Sequence, residues 1–290
     1  MHSSLSIFLV SVAAAQEPLP SVKINPETGD CDIRYEGAEG MVRSTTWVPR
    51  SKVAVAVGVL VHRLPSGAFV YEYSLLNSTV SRQNLLSFWV ETETTTLVSA
   101  AKPDHWVSGS ARLEKFQHFW ARRRIAHIGR GGTLSGFAIS AAAIPGISRT
   151  RFTGLAPPLA YSDEPPQEVE DLVDEICHTE DRQYAMGHTL GPLTDPTGLT
   201  PADLLVRLIQ QKHHARSLDW ISGPGADGLV KSLDAKLEAA KAAVDRGQPK
   251  TAKNDLRAFL NEVEAQKGKA LNNEAYLLLK LNAEFILTKL

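Results

Sequence analysis

The chain is predicted to be multidomain, mainly β plus α: an N-terminal antiparallel β-sandwich followed by a C-terminal three- or four-helix bundle. Three observations predict this. Hydrophobic residues recur at period two over residues 22–156 and at helical spacing over residues 199–290. Residues 157–198 between them are rich in Pro, Gly, Asp and Glu and keep neither period, so they read as a linker. A length of 290 residues suits two domains.

The N-terminus reads as an export signal over residues 1–15. Leu5 to Val12 form an apolar run, and Ala13-Ala14-Ala15 offer a cleavage site before Gln16, though Met1-His2-Ser3-Ser4 carry no Lys or Arg. The run is shorter than the roughly 20 residues a membrane helix needs. No later stretch reads as a membrane segment, so none is expected after signal cleavage. In the β region, Val53, Val55, Val57 and Val59 alternate with small residues. Phe69, Tyr71, Tyr73 and Leu75 alternate after a Pro65-Ser66-Gly67 turn, and Leu85, Leu86, Phe88 and Val90 continue. Later strands are expected at 116–120, 122–128 and 134–140, with a turn at 129–132. Many short strands with frequent turn residues indicate a sandwich. Within the linker, residues 169–176 suit a short acidic helix.

The helical end begins with Thr200 and Pro201, a start signal, followed by Leu204, Leu205, Leu208 and Ile209 on one face. Leu229, Leu233, Leu237, Ala240 and Val244 share the face of a second helix, for which Asp227 is the expected N-cap and Gly247 the C-terminal stop. Pro249 opens a third helix with Ala252, Leu256, Phe259, Leu260 and Val263, ended by Gly268. Asn272 or Asn273 caps the last helix, which buries residues among Leu277, Leu278, Leu281, Phe285 and Ile286. Short connections favour antiparallel packing.

The run Leu218-Asp219-Trp220-Ile221, then Gly228-Leu229-Val230-Lys231-Ser232-Leu233, Arg246-Gly247 and Phe259-Leu260-Asn261-Glu262-Val263 resembles the FIMAH domain, a helical module of secreted bacterial proteins. The resemblance spans about residues 201–290. It implies an accessory or interaction role and transfers no activity to a particular residue. Tyr71-Glu72-Tyr73-Ser74-Leu75-Leu76-Asn77, Phe88-Trp89-Val90, Gly132-Thr133-Leu134-Ser135-Gly136-Phe137 and Ile144-Pro145-Gly146 are similar to a β-sandwich of uncharacterised secreted bacterial proteins. That resemblance implies a fold and an extracellular setting, and no reaction.

The sequence offers little chemistry. No HExxH, CxxC, EF-hand loop or nucleophile elbow occurs, so no catalytic residue, metal ligand or cofactor is assigned. His213 and His214 are adjacent on a helix and diverge by about 100°. No catalytic pair stands out among Glu91, Glu93, Asp104 and Glu114. The net charge of −1 gives no reason to expect nucleic acid as a partner. Arg122-Arg123-Arg124 is the densest basic run, read as a charged edge strand or as a contact for nucleic acid or acidic glycans. Cys31 and Cys177 form an even pair suited to a disulfide in an oxidising compartment, although the sequence does not show that they meet. Trp47, Trp89, Trp106 and Trp120 fall in the β region; Trp89, Trp106 and Trp120 are the candidate ligand-facing aromatics. The expected role is a non-catalytic secreted or cell-surface binding or scaffolding protein, with an extracellular protein or glycan as partner. The alternatives are a carbohydrate-binding protein that uses exposed aromatics, and an unrecognised extracellular enzyme.

Overall fold

The computed structural model describes residues 18–92, 97–111 and 115–290. The export signal expected at 1–15, and Glu93 and Glu114, lie outside them. The chain divides into two units: Met1–Pro49 with Ala156–Arg182, and Arg50–Leu155 with Gln183–Leu290.

The first unit is an antiparallel meander of β1 (Ser21–Ile24), β2 (Cys31–Glu36) and β3 (Val42–Trp47). The Asn25 side chain accepts hydrogen bonds from the Glu27 and Thr28 amides, closing the β1–β2 turn. Strand β2 alternates: Cys31, Ile33 and Tyr35 are buried, while Asp32, Arg34 and Glu36 are exposed. Helix α1 (Gln167–Ile176) packs on the buried face through Val169 and Val173. It falls where the sequence predicts an acidic helix. The single turn α2 (Glu180–Gln183) follows. Cys31 and Cys177 are joined as a disulfide, Cα atoms 6.2 Å apart, across 146 residues of sequence. Arg43 Nε donates to Asp163 Oδ2 at 2.7 Å and adds a second tie between the two segments.

The second unit contains β4 (Val55–Arg63), β5 (Phe69–Asn77), β6 (Leu85–Glu91), β7 (Leu97–Ala101), β8 (Trp106–Ala111), β9 (Phe116–Ala121), β10 (Thr133–Ala141), β11 (Ile144–Gly154) and β12 (Ala185–Thr194). They form two antiparallel sheets, ordered β4-β5-β10-β7 and β12-β11-β6-β9-β8. Period-two burial makes this a sandwich. Phe69, Tyr71, Tyr73 and Leu75 of β5 turn inward, and from the other sheet Phe152, Phe88 and Phe119 stack at 5.5 and 5.9 Å. The Tyr71 and Tyr73 hydroxyls donate to Ala143 O and Leu190 O, which satisfies them in the core. Burial raises both phenol pKa values well above the usual range.

Four helices complete this unit: α3 (Pro201–Ser217), α4 (Ala226–Asp245), α5 (Pro249–Gln266) and α6 (Asn273–Lys289). Thr200 and Asp203 form a reciprocal capping box on α3, with Pro201 in its first turn. Left-handed Gly247 (φ 69°) ends α4, and the Asn272 side chain accepts from the Ala275 amide to cap α6. Helix α4 instead starts after left-handed Gly225, so Asp227 is not its cap; Asp227 pairs with Arg216 at 3.0 Å. Sheets and helices share one hydrophobic core. Asn282 Nδ2 donates to Pro145 O at 2.9 Å, Asn273 Nδ2 to Val59 O at 2.8 Å, and the Ile147 amide to Gln211 Oε1 at 2.9 Å.

Two further expectations, about a strand and a linker, need correction. Residues 122–128 are not a strand: β9 stops at Ala121, and the chain bends into a 3₁₀ turn at Arg124–Ala126. Three successive arginines in a strand would aim at least one at the sandwich core, at the cost of burying an unpaired charge. The stretch read as linker contains α1, α2 and β12. Strand β12 pairs along β11, and its alternation is hidden by Gly187, Gly191 and Pro192. Gly191 is required by space, since a Cβ there would sit 2.2 Å from Ser148 Oγ. Pro192 is tolerated because β12 lies at the sheet's edge.

Candidate ligand-binding site

The outer face of the five-stranded sheet carries a stacked aromatic group. Register places it. Trp89 on β6 pairs with His118 on β9, and Ser87 pairs with Trp120. His118 and Trp120 are two apart on one strand, so they share a face. The Trp89 and His118 rings stack at 4.0 Å with 4° between planes; His118 and Trp120 stack at 4.6 Å and 29°. Glycine at 109 makes room on the edge strand, because a Cβ there would lie 3.2 Å from the Trp120 ring.

Tyr184, at the entrance to β12, meets Trp89 edge to face at 5.3 Å. It is steadied by Arg151, whose guanidinium lies 5.1 Å from the Tyr184 ring and 4.4 Å from that of Phe116. Trp89, His118, Trp120 and Tyr184 wall a cavity of about 390 Å³, together with Leu86, Ala121, Gln183 and Arg50. Ser87 and Thr153 also line it, their hydroxyls bonded to each other at 2.5 Å. The volume lies in the range of small-molecule sites, roughly 300–1,000 Å³.

Burial pushes the His118 imidazole down to about 4, so the ring is neutral at neutral pH and the stack carries no charge. Its Nε2 is buried without a hydrogen-bond partner among the described residues. One row along the sheet, burial raises the Glu91 carboxyl. Hydrogen bonds from Arg149 more than offset this and hold it below its ordinary value. That carboxylate is engaged with Arg149 at 2.9 Å.

Of the three aromatics singled out by sequence, Trp89 and Trp120 line this cavity and Trp106 does not. Trp106 is 2% exposed. Its register partner is small Ala121, its ring packs on Phe137 at 4.9 Å, and its Nε1 donates to Ala126 O. Trp47 belongs to the first unit, beside His178. Sequence reasoning missed His118 and Tyr184. The His-Phe-Trp order of β9 was the available signal for His118. A larger depression of about 670 Å³ lies over the other sheet. Small side chains such as Gly58, Ser74, Ser135 and Ala138 line much of it, and Glu72 is charged.

Comparison with known proteins adds the following. Residues 222–288, covering α4 to α6, match the FIMAH domain. A crystal structure of an uncharacterized protein from Nocardia farcinica, described as revealing an immunoglobulin-like fold, is similar at 13% identity and a TM-score of 0.27. That match covers 48% of this chain and 98% of that one. No curated protein matches. The stretch that matches the FIMAH domain follows the β-sandwich in the chain.

Proposed function

We propose that this chain is a non-catalytic, extracytoplasmic binding protein that recognises carbohydrate at the cavity walled by Trp89, Trp120 and Tyr184. The observation that carries this reading is the preformed ring stack. The C–H faces of a sugar ring pack well on aromatic surfaces, and rings already fixed by one another lose little freedom on binding. Hydroxyls from Ser87 and Thr153 and the Arg50 guanidinium supply polar contacts beside them. The described lining residues include no carboxylate, whereas glycoside hydrolysis ordinarily uses two. The Cys31–Cys177 disulfide supports an oxidising compartment. No described helix is long and apolar enough to cross a membrane. The FIMAH domain fits an accessory or scaffolding role in the same protein.

The test is glycan-array binding by the full chain against a Trp89→Ala variant of verified fold. Saturable binding to at least one glycan class is expected, weakened in the variant by about 2 kcal/mol, roughly thirtyfold. Binding that survives the substitution unchanged would move the ligand off this face.

A further inference from the structure

We propose that the saccharide is anionic, its acidic group taken by a cationic depression that continues the aromatic cavity along β9; this rests on the carbohydrate reading above. The β8–β9 ladder runs one step beyond the strand, where the Arg122 amide donates to His105 O at 2.8 Å. Arg122 therefore follows Trp120 in the outward row, about 7 Å further along. There it lines a depression of about 340 Å³ with Arg123, Lys102 and His105. All four side chains are exposed, and no described carboxylate lines the depression or pairs with the two arginines or the lysine. Arg50 is the one charged residue among the described residues that line the aromatic cavity itself. The combined surface is aromatic and cationic.

A simpler reason for surface cations is to block edge-to-edge pairing. Such charges would sit along the edge strand. Strand β8 (Trp106–Ala111) carries none; the cations gather at one end of it, from the segments before β8 and after β9. Convergence on one depression is what an anion needs. Carboxylates of uronic acids and sulfate esters share this chemistry.

The experiment is calorimetric titration of the full chain with tetragalacturonate, a chondroitin sulfate tetrasaccharide and neutral cellotetraose. At least one acidic probe should bind about tenfold or more tightly than the neutral one, the gain of a single well-placed charge contact. That advantage should shrink as salt rises and vanish in Arg122→Glu/Arg123→Glu, with neutral binding unchanged. Comparing the two acidic probes assigns carboxylate or sulfate. Equal binding of acidic and neutral probes, or an acidic advantage that survives the double substitution, would overturn the anionic assignment and leave the carbohydrate reading standing. Acidic binding undiminished in Trp89→Ala would remove the aromatic cavity instead. Failure of every probe to bind would overturn both.

Discussion

His118 stands between two indoles and is held neutral by burial, with a pKa near 4. The unfolded chain titrates near the ordinary 6.5, so between these values it binds a proton that the folded chain refuses. The stability that a neutral His118 contributes is therefore complete above about pH 6.5. It is lost as pH falls toward 4, at about 1.4 kcal/mol per pH unit. His127 and His188 are also held low by burial and act in the same direction. Thermal unfolding should move to lower temperature across this window, and His118→Phe should reduce the slope without abolishing it. An identical pH profile in the variant would mean that His118 does not carry the effect. Its neighbours show what single residues reveal in a sequence. Trp89 and Trp120 are recognisable as candidates because an aromatic at a period-two position must face core or ligand. Trp106 meets the same criterion and is core, because burial was decided by Ala121 across the ladder and by an acceptor at Ala126.

At the scale of elements, strongly periodic segments were legible and weakly periodic ones were not. Helices α3 to α6 lie where their spacing and glycines place them, though Asp227 does not cap α4, and β4, β5 and β6 lie where valine and aromatic alternation places them. Strand β12 escaped notice. Two glycines and a proline erase its pattern, yet each has a packing or edge reason to be there. Its burial of Thr189 and Leu190 and its pairing along β11 make it part of the sandwich. A chain ended at Leu155 would therefore lose an edge strand, and Tyr184 with it. Gly191→Val should destabilise the protein by roughly 1–3 kcal/mol, because the new side chain meets Ser148 and Val90. Denaturant titration reads that loss directly. Limited proteolysis should spare residues 185–194; rapid cleavage there would contradict the pairing.

On the scale of the whole molecule, chain order and unit membership part company. Each unit is assembled from two stretches of sequence, and the first closes only when Ala156–Arg182 returns to the meander of β1, β2 and β3. Composition could not reveal this. The returning stretch is polar and rich in turns, and its helix α1 buries only Val169 and Val173. A small apolar cluster of this kind leaves much to the covalent tie between Cys31 and Cys177. A cross-link spanning so many residues removes much of the unfolded chain's freedom, typically about 2–4 kcal/mol of stabilisation. Peptide mapping without reductant should recover the two cysteines in one linked pair. With the bond reduced, or in Cys31→Ser/Cys177→Ser, amides of β2 and α1 should exchange with solvent roughly 30-fold or more faster, the factor that about 2 kcal/mol implies. Unchanged protection would show that Arg43–Asp163 and the Tyr35 cluster hold this unit without the disulfide.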